Sequence, residues 1–164
     1  MSADTDAVRA DNSDLPQSLT EIIADFAETE PGERLQVLLE FASDLPDLPA
    51  RYSDHPELLE QVPECQSPIF LVTEVENPEK GGESIVKLHF SAPPEAPTTR
   101  GFAGILHEGL DGQSAEVVLS IPADLPLRLS MTDIVSPLRL RGMSGMLSRI
   151  QRQTSERIGK ITGN

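Results

Sequence analysis

Fourteen prolines punctuate this chain of 164 residues, and they limit how long any regular element can run. Proline lacks a backbone N–H, fixes φ, and pushes the residue before it out of helical geometry. Pro16 sits where a first helical turn can begin. Leu19, Ile22, Ile23 and Phe26 follow at helical spacing, which predicts an amphipathic helix over 17–29. Pro31-Gly32 breaks the chain. Glu33 to Ser43 repeats the pattern with Leu35, Leu38, Leu39 and Ala42, and Pro46 and Pro49 mark its end. The two helices are expected to pair as an antiparallel hairpin. Residues 44–64 carry four prolines and read as an irregular connector, with a short helical turn over His55–Gln61. That is longer than an ordinary connection, and long loops are often functional.

Downstream the pattern changes. Ser67 to Val75 is β-branched and aromatic and reads as a strand. Asn77 to Gly82 is a turn containing Asn-Pro and Gly-Gly. Glu83 to Ser91 alternates, giving a second strand and a hairpin. A proline-rich loop then leads into a helix over 98–110, striped by Phe102, Ile105, Leu106 and Leu110. Gly101 and Gly104 weaken that helix, and close packing on the sheet is the expected compensation. The residues of 114–122 admit a third strand or a short helix, and their context favours a helix or turn. Asp133 to Val135 reads as a short helix, and Gly142 to Ile158 as the final one. Residues 1–14 have almost no apolar content and are expected to be a disordered acidic tail. The domain is then 15–160.

Composition narrows the functional classes. One cysteine excludes an intrachain disulfide framework and a thiolate zinc site. Three histidines, at 55, 89 and 107, leave little for a His-rich metal centre. Five Phe, one Tyr and no Trp imply an aliphatic core. A net charge of -14 argues against nucleic acid and anionic membranes as partners. No apolar stretch is long enough to span a bilayer. The N-terminus has neither a basic region followed by an apolar one nor the character of a transit peptide, so a cytoplasmic location is expected. The charge is uneven: residues 1–64 hold 16 acidic and 3 basic side chains, residues 65–164 hold 11 and 10. That acidic half is either a solvated face or a surface that steers a basic partner toward Cys65.

Cys65 stands at this charge boundary, between the connector and the first strand, among polar neighbours. A thiolate is a nucleophile, and its fraction depends on local charge and burial. Position alone leaves a reactive and an inert thiol both open. A cysteine–histidine hydrolase would need a histidine beside the thiol, and no spacing in the sequence supplies one. Phosphate-cradling, zinc-protease and CxxC motifs are missing. His89 reads as a satisfied sheet residue, His55 as exposed loop, and His107 as helix surface.

Four segments carry a resemblance. Val62-Pro63-Glu64-Cys65-Gln66-Ser67-Pro68-Ile69-Phe70 resembles the V-x-G-C-Q-S-x-V-W signature of the SufE family of sulfur-acceptor proteins. Arg100-Gly101-Phe102 with Ile105 resembles that family's Lys/Arg-Gly-Leu helix start. Ser136-Pro137-Leu138-Arg139 through Gly142-Met143 to Met146 resembles its T/S-P-x-R-x-x-G-L-x-x-M segment. Leu45-Pro46-x-Leu48 matches a leucine-proline feature. The matches keep the family's order over residues 17–158.

The resemblance implies a compact single-domain α+β fold, with an antiparallel sheet of about three strands packed against helices. It places the third strand at 115–121 instead of the helix or turn read above. It implies that Cys65 accepts persulfide sulfur from a PLP-dependent cysteine desulfurase, stimulates that enzyme, and passes sulfur toward an iron–sulfur scaffold complex. The chain would then be a carrier and not a stand-alone enzyme, a monomer or weak homodimer, needing no metal or bound cofactor of its own, with PLP belonging to the partner. Glu64, Gln66 and Ser67 flank the thiol, and Arg100 and Arg139 fall in supporting or partner-contacting positions. Two departures stand out. Glu64 replaces the family's glycine, adding a carboxylate beside the thiol and removing freedom at positive φ. Phe70 replaces a tryptophan and is expected to keep an apolar anchor. The rival reading is an acidic protein-interaction module with a non-catalytic thiol.

Overall fold

Helix starts and stops follow the prolines closely in the computed structural model, which describes residues 12–162. After Pro16, α1 (Gln17–Glu28) buries Leu19, Ile22, Ile23 and Phe26, the stripe read from the sequence. A 3-10 turn at Pro31–Glu33 reverses the chain into α2 (Arg34–Asp44), which buries Leu38 and Ala42. Leu35, expected in that stripe, is instead exposed. Arg34 locks the hairpin by donating to the carbonyls of Phe26 and Thr29, and Phe26 stacks on Phe41 with ring centres 6.0 Å apart. Asn12 and Asp14 lie against Arg128, at 3.3 and 3.8 Å. The rest of the expected tail, residues 1–11, lies outside the described residues.

The proline-rich connector is more ordered than its composition suggests. It holds a single helical turn, α3 (Ala50–Ser53), a 3-10 turn at Pro56–Leu58, and a two-residue strand, β1 (Glu60–Gln61). β2 (Phe70–Glu76) and β3 (Ile85–Ser91) complete an antiparallel sheet in the order β1-β2-β3. Gln61 pairs with Phe70, and Phe70 with Ser91. Val86, Leu88 and Phe90 alternate inward along β3, as period-two patterning requires.

The third strand is therefore β1 and not residues 115–121. Ala115–Ser120 form a short helix, α5, whose N-terminus is capped by Ser114 Oγ accepting from Val117 N. Near its end the Gln151 side-chain amide donates to the carbonyls of Val118 and of Ile121 just beyond the helix. The helix read from those residues themselves is present, and the strand implied by resemblance does not exist. Only Ser114 itself bridges to Ile85 at the edge of β3.

α4 (Pro97–Leu110) is the central helix, with Phe102, Ala103, Ile105, Leu106 and Leu110 inaccessible. Gly101 and Gly104 face α2 and not the sheet, while Gly109 faces Leu19 of α1. A methyl group on Gly101 would lie 2.7 Å from the carbonyl oxygen of Leu38, and one on Gly104 would strike the carbonyl of Phe41. The final helix, α6 (Pro137–Thr162), begins five residues earlier than expected, because Ser136 Oγ accepts from Arg139 N and Pro137 suits a first helical position. Residues 133–135 make only a turn onto Met131. One continuous apolar core runs from Leu15 to Ile150. Among the described residues, no helix is long and apolar enough to cross a membrane.

Candidate functional site

Residues 62–69 close the β1–β2 hairpin, and Cys65 sits at its tip. The base of the loop is pinned by Val62 and Ile69, both inaccessible, with Val62 N donating to Ile69 O. Pro63–Cys65 form one 3-10 turn, and Gln66 then takes a left-handed conformation at φ 58°. Glu64 therefore occupies ordinary helical backbone, and the missing glycine costs no strain there. The positive φ falls two residues later, on Gln66. The apolar anchor is Ile69, whereas Phe70 is only half-buried.

Two glycines let this tip settle on α6. A methyl group on Gly142 would lie 3.0 Å from Cys65 Sγ, and one on Gly145 would lie 2.9 Å from the Glu64 carboxyl carbon. The turn is held by charge as well. Arg149 Nη1 is 3.0 Å from the Glu64 carboxylate and also donates to Gly145 O, while Arg149 Nε lies 3.4 Å from Glu60. Glu60 in turn pairs with Arg152 and accepts from Gln153, whose carbonyl receives the N–H of Thr73. The thiol-bearing loop is thus fastened through α6 to the middle of β2.

A cleft of about 430 Å³ opens beside the thiol, lined by Glu64, Cys65, Gln66, Ser67, the Glu95–Thr99 segment, Leu138 and Arg139. The hairpin tip, the approach to α4 and the start of α6 each supply one wall. Leu138 is half exposed at its rim. Arg139 is exposed, and among the described residues its guanidinium has no hydrogen-bond or ion-pair partner. Burial pushes the Cys65 thiol up to about 12, the Glu64 carboxylate adds to that, and Arg149 opposes it. Glu64 itself is held below the usual carboxylate range by its own backbone N–H and by Arg149.

Of the residues singled out in the sequence, Cys65, Glu64, Gln66, Ser67 and Arg139 meet at the cleft. Arg100 does not line it. Its guanidinium donates to the carbonyls of Ala42, Leu45 and Ala92, tying the end of α2 to the end of β3. No histidine lines the cleft: His55 pairs with Glu57, His89 with Glu74, and His107, half-buried, lies near Asp111. A thiol–imidazole hydrolase is thereby removed. Sequence reasoning missed Gly142, Gly145 and Arg149 as site residues. Their available signal was spacing: three and four residues apart, they share one face of α6. Among the described residues, no cluster of His, Cys, Asp or Glu could hold a metal ion.

Residues 20–154 match the family model described as SufE, Fe-S metabolism associated domain. Uncharacterized SufE-like proteins from two strains of Mycobacterium tuberculosis are 50% identical over 142 residues, covering 87% of this chain and 94% of theirs. The solution structure of a hypothetical protein from Thermus thermophilus superposes with a TM-score of 0.72 at 37% identity, covering 92% of this chain and 99% of that one.

Proposed function

Because the chain belongs to the SufE family, and so to iron–sulfur metabolism, we propose that it accepts sulfur from a cysteine desulfurase on Cys65 and delivers it for cluster assembly. The observation that carries this reading is the placement of the chain's one thiol at a hairpin tip, facing an open cleft. In the proposed step the Cys65 thiolate attacks the outer sulfur of the donor's cysteine persulfide. A bond forms between Sγ and that sulfur, and the donor S–S bond breaks. The donor cysteine leaves as thiolate and takes up a proton, while Cys65 carries the –SH. PLP belongs to the donor enzyme, and the freed donor cysteine can begin another turnover. Arg139 and Leu138 give the cleft rim a cation and an apolar contact for the partner. Glu64, Gln66 and Ser67 shape the loop that presents the thiol, and Arg100 supports it from behind by fixing the approach to α4.

The test is desulfurase turnover with natural or Cys65→Ser protein added. The expected result is stimulation by the natural chain and none by the variant. Undiminished stimulation by Cys65→Ser overturns the acceptor role. Mass spectrometry of the chain after incubation with desulfurase and cysteine separates the rival. A gain of one sulfur atom on Cys65 supports the carrier, and binding without that gain supports an interaction module.

A further inference from the structure

Charge is distributed around Cys65 in an uneven way. The groups that face its turn are Glu64 from the turn itself, Glu95 from the opposite wall, and Arg139, Arg141 and Arg149 from α6. Glu64 is the adjacent residue, and its carboxylate is held in place by Arg149 and by its seat against Gly145. Arg149 does not belong to Glu64 alone: it also faces Glu60 and donates to the Gly145 carbonyl. Two cations, Arg149 and Arg152, are therefore shared among Glu60, Glu64 and Glu156, and Glu64 keeps part of its negative field. A fixed negative charge beside a half-buried thiol disfavours the thiolate.

From this arrangement we propose that Glu64 is an electrostatic brake on Cys65, with Arg149 as its partial counter-charge, holding the free protein's thiol in its unreactive protonated form. The direction of the Cys65 shift, raised by burial first and by Glu64 next, agrees. The brake suits a sulfur carrier, since a protonated thiol resists stray oxidation between encounters. A partner that sets a basic group against the exposed Glu64 carboxylate would release it. The proposal deepens the reading above and rests on Cys65 as the acceptor.

The experiment is the rate of Cys65 alkylation by iodoacetamide, a neutral probe, in the full chain across a pH series. Glu64→Gln keeps the shape and the contact with Arg149 but removes the charge. It is expected to speed alkylation about threefold to tenfold below the thiol's midpoint and to move the profile to lower pH. Arg149→Gln is expected to slow alkylation. A purely mechanical brace predicts the opposite for Arg149, because loosening the turn would expose the thiol and speed the reaction. Added salt should speed alkylation of the natural chain and have little effect on Glu64→Gln. If Arg149→Gln fails to fold by circular dichroism, the Glu64→Gln profile and the salt series decide. Unchanged rates in Glu64→Gln, or faster alkylation of folded Arg149→Gln, overturn the brake. Because alkylation needs no desulfurase, its failure with Cys65-dependent stimulation intact removes the brake alone. Failure of that stimulation removes the acceptor reading and leaves the alkylation result standing.

Discussion

Glu74, far from the thiol loop, gathers three donors on the outer face of the sheet. Arg51 meets it at 2.9 Å, His89 Nε2 lies 2.9 Å away, and the Tyr52 hydroxyl donates to its other oxygen. Burial opposes its ionisation, but the bonds from Arg51, Tyr52 and His89 outweigh that and lower the carboxyl from 4.5 to about 2. A depressed carboxyl stabilises the fold above its unfolded value, and that contribution fades as pH falls through the folded one. The natural chain should therefore exceed Glu74→Gln in urea stability at neutral pH. The gap should begin to close below about pH 4.5 and vanish near pH 2. A gap independent of pH would mean that the carboxylate charge is not what Glu74 contributes. None of this was legible in the sequence. Arg51 and Tyr52 lie in the connector, His89 and Glu74 on adjacent strands, and only the β2–β3 register and the path of α3 bring them together.

At the scale of elements, the α2–α4 contact depends on small residues. Gly101 and Gly104 let two helix backbones meet, so Gly104→Ala should lose about 1–3 kcal/mol of stability through overpacking, well beyond any gain in helix propensity. Gly32 supplies the contrast. It sits in an open turn with nothing near its missing side chain, and Gly32→Ala should be neutral or stabilising by up to about 1 kcal/mol. Denaturant unfolding of both variants tests the pair; equal losses would contradict the close approach. Most helices were legible because periodicity and proline are local signals. The partner of α4 was not, since glycine marks a close approach without saying which neighbour makes it. β1 escaped for another reason: two residues carry no periodicity, and Glu60–Gln61 become a strand only by pairing with Leu71 and Phe70.

Over the whole molecule, the charge division at Cys65 becomes a surface property. Glu21, Asp25, Glu28, Glu30, Glu33 and Glu40 of the N-terminal hairpin are all exposed. A field of this sign favours encounter with basic surfaces and is screened by salt. Desulfurase stimulation at subsaturating protein should therefore fall as ionic strength rises, while stimulation at saturation changes little. Salt-independent half-saturation would remove the steering role of the acidic half. Composition and local pattern alone were enough for most of the helices, the β2–β3 hairpin, the unpaired thiol and the segments that resemble SufE, because each is written in neighbouring residues. Where Cys65 rests, what holds Glu64, and how Arg100 is used depended on contacts between residues distant in the chain. Arg149 lies 85 positions from Glu64, and Arg100 lies 58 from Ala42. Such pairings arise when apolar burial brings helices and strands together, and no local pattern encodes which side chains then meet.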